Sequence, residues 1–222
     1  MNMKEKIILI GSGQHCNVVM YNIEAQDKYD VACIADVNKD KWGSVINGVK
    51  VVPFENFSTK AMDSLEREFG TNKFFISFGT MKYRRAVFEF LVTNGWEAVN
   101  VIHPTAVISP CAKIGRGVLI EAGCMVTPQP VIGDNVVLNC GSQVNHDNVV
   151  EDHVYIASGV VLSGTVRIGE NALLDDGVVV AVGRKVGAGS IVGAGSVVTR
   201  DVPENVIAYG VPCRVVRRND KY

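Results

Sequence analysis

From Ile102 to Val198 every sixth residue is Ile, Val or Leu, a series that runs through Ile108, Ile114 and Ile120 to Val186, Val192 and Val198 without a break. With about 40% of the segment aliphatic, an unbroken series of that length arises by chance on the order of once in several million. Two residues before each aliphatic the chain usually carries a small or β-branched residue, as at Ala112, Val136, Ser142 and Val178, and glycine often follows, as at Gly115, Gly133 and Gly169. Side chains at i−2 and i leave an extended chain on the same side, so each repeat predicts a short strand that sends both inward. Gly117, Asp134-Asn135, Glu170-Asn171 and Gly189 supply turns between the strands. Six residues are too few for a helix pair or a propeller blade. They suit one flat side of a three-sided β-solenoid, in which eighteen residues make a coil and the aliphatics fill the interior. Seventeen such positions make between five and six coils, about 27 Å of prism at about 4.8 Å per coil.

Residues 1–102 carry a different pattern. IILIG (7–11) is a buried-strand run that enters Gly11-Ser12-Gly13 and then a helical stretch from Gln14 to Gln26. VACIAD (31–36) is a second strand, ending at Asp36, and FFISFG (74–79) a third; 60–69 and 81–94 read as helices, and EAVNVI (97–102) leads into the solenoid. Strands alternating with helices predict a small parallel, Rossmann-like α/β sheet. Ligands of such sheets sit beyond the carboxyl ends of the strands, which points to Gly11, Ser12, Gly13, His15, Asp36, Gly79 and Thr80. Gly11-Ser12-Gly13 at a strand-to-helix junction suits phosphate. The full dinucleotide fingerprint fails, because its third glycine position is Cys16, so NAD-dependent oxidoreduction is disfavoured.

Composition narrows the options a little further. The 222 residues carry a formal net charge of −1, with 47% apolar and 20% charged residues, which gives no basic field for nucleic acid. The apolar run near the N-terminus is too short for a signal peptide or a membrane span, and the six cysteines form neither a CxxC pair nor a metal-ligand spacing. A cytoplasmic protein with free thiols, no metal and no membrane partner is the expectation.

The stretches HPTAVIS (103–109), VIGDNVVLN (131–139), NHDNVVEDHVYIASGVVLSG (145–164) and GAGSVVTRDVPENVIAYGVPCRVV (193–216) resemble the hexapeptide-repeat acyltransferases, in particular the sialic-acid O-acetyltransferase branch that includes bacterial N-acetyltransferases of nucleotide-linked amino sugars. That resemblance covers essentially the whole chain. It implies a left-handed parallel β-helix (103–222) after an α/β domain (1–102) that holds the nucleotide of the acceptor sugar, with acetyl-CoA as co-substrate and a homotrimer as the assembly. The handedness comes only from the resemblance, since the general rule for β crossovers gives the opposite sense. The activity implied is N-acetylation of a nucleotide-linked amino sugar, such as a 4-amino-4,6-dideoxyhexose, for surface glycans. O-acetylation of a sugar hydroxyl is the alternative, and a non-catalytic solenoid a third.

Acetyl transfer needs a base, an oxyanion donor and a channel for the pantetheine arm. Of the four histidines, His15 lies in the glycine loop, His103 reads as a connector and His153 as a solvated corner residue. His146 lies two residues after the aliphatic Val144, at a corner that suits a structural histidine as well as a catalytic one, and Asp147 follows it. NHDN matches the family's His-Asp motif, which implies that His146 is the general base; Asp147 or an acid on another coil would orient it. Gly164 is eighteen residues on, one coil above on the same corner. The resemblance makes its amide the donor to the thioester carbonyl. It also implies cofactor contacts at Ala181, Val182, Gly193 and Ala194, with Arg200, Arg214, Arg217 and Arg218 as phosphate partners, and an acceptor-side role for Asn139. Three departures stand out: Gln14 replaces a family glycine, Tyr155 stands where many relatives carry a second histidine, and Asp175-Asp176 replace small residues.

Overall fold

Strand β1 (Glu5–Ile10) is buried over its last four residues, as a strand covered on both sheet faces must be. It sits inside a six-stranded sheet with β2 (Tyr29–Asp36), β3 (Val45–Ile46), β4 (Val49–Pro53), β5 (Lys73–Ile76) and β6 (Glu97–Ala98), in the order β3-β4-β2-β1-β5-β6. All pairs are parallel except β3 with β4. Helices α1 (Gln14–Gln26), α2 (Thr59–Phe69) and α3 (Met81–Thr93) follow the pattern read from the sequence. The β3–β4 hairpin was not anticipated, although Asn47-Gly48, both at positive φ, is a hairpin-turn signal in the sequence itself. The computed structural model describes residues 4–220; one compact unit ends at Val101 and a second begins at Ile102.

The second unit is the three-sided solenoid. Face 1 stacks the two-residue strands at Val101, Leu119, Val137, Tyr155, Leu173 and Ile191; face 2 those at Val107, Met125, Gln143, Val161, Val179 and Val197; face 3 those at Lys113, Val131, Val149, Arg167 and Lys185. Every pairing between coils is parallel and in register at eighteen residues, as in Val137 with Tyr155. The aliphatics from Ile120 to Val198 are buried and form one interior cluster, against which Ile102, Ile108 and Ile114 pack partly buried. Burying one such side chain is worth about 1.5–3 kcal/mol, so the six-residue series is the main source of the unit's stability. At its C-terminal end Val206–Tyr209 pairs parallel with Ile191–Val192, and Arg214–Arg218 folds back antiparallel to cover that strand, which blunts the open sheet edge.

The corners follow a second six-residue rule. Every sixth residue from Gly117 to Gly195 has φ between +56° and +70°, the left-handed bend that turns the chain from one face to the next. Glycine fills most of these positions, but Gln129, Asn135, Asp147, His153, Thr165 and Asn171 also adopt it, at a cost for all but glycine, and least for Asn and Asp. His153 was expected to be solvated; instead it is buried, with Nδ1 3.0 Å from Asn135 Nδ2 one coil below. Stacking at eighteen residues sets His153 directly on Asn135, which covers its ring from below. Among the described residues no helix is long and apolar enough to cross a membrane.

Candidate active site

His146 and Gly164 lie on one edge of the solenoid, where face 2 turns into face 3. The two are eighteen residues apart and share the backbone pairing of adjacent coils, with Thr165 N–H donating to the His146 carbonyl at 2.9 Å. His146 is exposed, and its Nδ1 lies 2.9 Å from Asp147 Oδ2. The αL bend at Asp147 (φ 58°) turns that carboxylate back onto the ring of its own neighbour. An acceptor on Nδ1 holds the proton there and leaves Nε2 as the basic nitrogen. A Cβ built on Gly164 would overlap His146 Nε2 and Cε1, and would stand 3.1 Å from Cδ2. A side chain at position 164 would have to displace the imidazole.

On the other two edges carboxylates cap several of the corner amides. At the edge between faces 3 and 1, Arg116 N–H donates to Asp134, Asp134 N–H to Asp152 and Glu170 N–H to Glu151. At the edge between faces 1 and 2, Cys140 N–H donates to Glu121 and Ser158 N–H to Asp176. Carboxylates from neighbouring coils thus satisfy amides that the strands leave over. On the His146 edge the two lowest equivalent positions are Pro110 and Pro128, and among the described residues the amides of His146, Gly164 and Val182 meet no acceptor of the protein. Three successive coils therefore leave amides without a protein acceptor in a column at and above His146, which fits a chain of carbonyls such as a thioester and its pantetheine arm. Asp176, which departs from the small residues of relatives, caps Ser158 and stands on another edge.

The remaining expected residues divide between two places. Gly193 and Ala194 lie on the edge between faces 1 and 2, together with Asn139, while Ala181 and Val182 follow face 2 toward the His146 edge. Val182 is 64% exposed, as a contact for a bound chain must be. Asn139 Nδ2 donates to the Tyr155 hydroxyl at 3.0 Å. One coil below, the buried Glu121 accepts from both the amide and the thiol of Cys140, and burial together with that carboxylate pushes the Cys140 thiol up to about 11. No feature of the sequence pattern had marked Glu121 or tied Tyr155 to Asn139; the relation follows only once the coils are stacked.

In the first unit a cavity of about 310 Å³ opens at the carboxyl ends of β1, β2 and β5, lined by Gly11, Ser12, Gly13, Asp36 and Thr80 among the expected residues. Phe54, Phe57, Phe78 and Tyr83 supply an aromatic wall that the sequence reading had missed. Asp36 Oδ2 accepts from the Ser12 amide at 2.5 Å and its hydroxyl at 2.6 Å, and Oδ1 accepts from the Asn38 amide at 2.7 Å. The carboxylate thus clamps the glycine loop. Gly11 has φ 103°, and a Cβ there would strike Phe78, so glycine is required where the loop leaves β1. Helix α1 starts after Gly13 with no side-chain cap, which leaves its first amides for an anion. His15 and Gly79 do not line this cavity. Burial, and after it the Arg84 charge, pushes the His15 imidazole down to about 4, so at neutral pH it is no cation for phosphate.

A coiled solenoid with an open edge bearing His, Asp and Gly in this relation defines a left-handed β-helix acyltransferase. Comparison with known proteins narrows the class. Residues 6–91 match the PglD N-terminal domain family. The structure is similar to perosamine N-acetyltransferase from Caulobacter crescentus in complex with CoA and GDP-perosamine, with 34% identity over 95% of this chain and 96% of that one and a TM-score of 0.87. It is also similar to the acetyltransferase domain of PglB from Neisseria gonorrhoeae in complex with acetyl coenzyme A, at 31% identity over 96% and 100% of the two chains and a TM-score of 0.85. A UDP-N-acetylbacillosamine N-acetyltransferase of Bacillus subtilis is 32% identical over 118 residues, 53% of this chain, and the chain spans about half the length of that curated relative (52%). The chain belongs to the nucleotide-amino-sugar N-acetyltransferase family of hexapeptide-repeat acyltransferases.

Proposed function

We propose that this chain transfers the acetyl group of acetyl-CoA to the amine of a nucleotide-linked amino sugar, such as a 4-amino-4,6-dideoxyhexose, in the cytoplasm. The carrying observation is the edge itself: an imidazole with Nδ1 held by Asp147 and Nε2 over Gly164, beside amides that no protein group uses. His146 Nε2 takes a proton from the attacking amine as nitrogen bonds to the thioester carbon. The Gly164 amide donates to the oxyanion that forms. As the carbon–sulfur bond breaks, the imidazolium gives the proton to the departing thiolate, and the base is restored. Val182 would hold the pantetheine arm above, with Ala181 beside it, and Gly193 and Ala194 would contact it from a neighbouring copy. The glycine loop and Asp36 would hold the nucleotide.

The assembly proposed is a homotrimer. Face 2 turns Val107, Met125, Val161, Val179 and Val197 outward in a row broken by Gln143, with Val107 63% and Met125 44% exposed; the same row of face 3 mixes Lys113, Arg167 and Lys185 with Val131 and Val149. A three-fold axis facing the row of face 2 buries it. The same symmetry sets the His146 edge of one copy against the Asn139 edge of the next and gives the exposed base a second wall.

The test is incubation with acetyl-CoA and UDP-, GDP-, dTDP- and CMP-linked amino sugars, read by mass spectrometry. A product heavier by one acetyl group and stable to hydroxylamine supports amide formation. A hydroxylamine-labile product would mean O-acetylation, and no acetylated product with any acceptor would overturn the reading.

A further inference from the structure

The Oδ1 of Asn139 is enclosed and meets no donor, so the carbonyl side of its amide is closed to a ligand. Its Nδ2 is taken by the Tyr155 hydroxyl at 3.0 Å. Tyr155 stands on face 1 directly above Val137, with which it is paired in register, so its long side chain reaches down to the edge where Asn139 begins the turn into face 2. Seven residues separate Asn139 from His146, with one two-residue strand of face 2 between them. The two therefore belong to one coil, at opposite edges of the same face.

We propose that Tyr155 is a positioning residue for the acetyl transfer: its hydroxyl fixes Asn139 so that the second Nδ2 hydrogen is offered to an oxygen of the acceptor sugar beside the attacking amine. The inference rests on the trimeric reading above. Under three-fold symmetry the copies share one axial level, so the Asn139 edge of one copy faces the His146 edge of the next without vertical offset. Gly164 and Val182 lie one and two coils higher on the His146 edge, and that side belongs to the thioester and its arm. At the level of His146 itself the open space is that of the acceptor. With one Nδ2 hydrogen held by Tyr155 and Oδ1 enclosed, the other Nδ2 hydrogen is the group of Asn139 left for a ligand.

The experiment is a double-mutant cycle of Tyr155→Phe and Asn139→Ala, with KM and kcat measured for each substrate separately. Tyr155→Phe is expected to lower kcat/KM for the amino-sugar nucleotide by about threefold to tenfold, the effect of one hydrogen bond. The KM for acetyl-CoA and the pH profile set by His146 should stay in place. In the Asn139→Ala background the same change should have no further effect, because a residue that acts through Asn139 has nothing left to position. Tyr155→His, which keeps an acceptor nitrogen on the ring, should recover part of the loss. Unchanged kinetics in Tyr155→Phe, or a loss that persists in full without Asn139, overturns the inference. If removing the hydroxyl lowers the melting temperature and raises both KM values together, the role is structural and the inference is also lost. A wild-type protein that acetylates no amino sugar would instead sink the underlying reading, so the two failures are distinguishable.

Discussion

The imidazole of His146 lies across Gly164, one coil above it, so closely that a single methyl group on the glycine would collide with the ring. A side chain at position 164 therefore competes with the imidazole for the same space. Gly164→Ala keeps the backbone amide but is expected to displace the imidazole and to lower kcat by about 10²–10⁴, the size of a general base's contribution. The site lies on an exposed edge, so thermal melting should change little. Loss of fold rather than of turnover would contradict this arrangement.

Asp147 serves the ring from a backbone conformation that costs energy. Replacing it with glycine removes that cost and the carboxylate together. Asp147→Gly should keep or raise the melting temperature while lowering kcat, whereas Gln129→Gly, at an exposed corner with the same bend and no chemistry, should stabilise by about 1 kcal/mol with turnover unchanged. Chemical denaturation and steady-state kinetics on the two variants separate strain from function.

How much of this was legible in the chain beforehand follows from which interactions are periodic. Ile120 through Val198 announce the interior because each coil repeats the same packing problem, and the vertical relation of His146 to Gly164 follows from counting eighteen. The corner row was visible where glycine or asparagine fills it, as at Gly117, Asn135, Asn171 and Gly189; Gln129 and Thr165 adopt the same bend against their preferences because the coils around them leave no other path. His153 over Asn135, and Tyr155 over Asn139, depend on side-chain reach between coils, which no period records. The aromatic wall of Phe54, Phe57, Phe78 and Tyr83 gathers residues from separate loops, and the sequence offers no spacing that joins them.

His15 gives the folded protein a pH dependence of known sign. Its imidazole is pushed from 6.5 down to about 4 by burial and by Arg84. Between those values the unfolded chain binds a proton that the folded chain refuses, so this contribution is whole above pH 6.5 and drains away toward pH 4. Urea midpoints at pH 7.5 and pH 5 should differ less in His15→Gln than in the wild type; equal slopes would count against the buried neutral imidazole.

Cys111 and Cys140 are both exposed, yet alkylation should tell them apart. Cys140 donates its thiol to Glu121 and is held near 11, so little thiolate is present at pH 8. Mass spectrometry after iodoacetamide treatment should find Cys111 modified first and Cys140 slowly, with Glu121→Gln hastening the second.

Mixed assemblies test whether two copies build each site. Alone, His146→Ala should be nearly inactive, while Asn139→Ala, which loses one hydrogen bond to the acceptor, should keep about a tenth of wild-type turnover. Co-expressed in equal amounts, they should regain about one quarter of wild-type turnover, the share of interfaces that pair an intact histidine from one copy with an intact asparagine from the next. No recovery would show that both residues act within a single copy.

The column of unclaimed amides grows with the number of coils, while the base stays where it is. Shortening the solenoid from its C-terminal end would loosen the grip on the acyl carrier and leave proton transfer untouched. Donor affinity and chemical rate are thus written in separate stretches of the same repeat, and selection can lengthen one without rewriting the other.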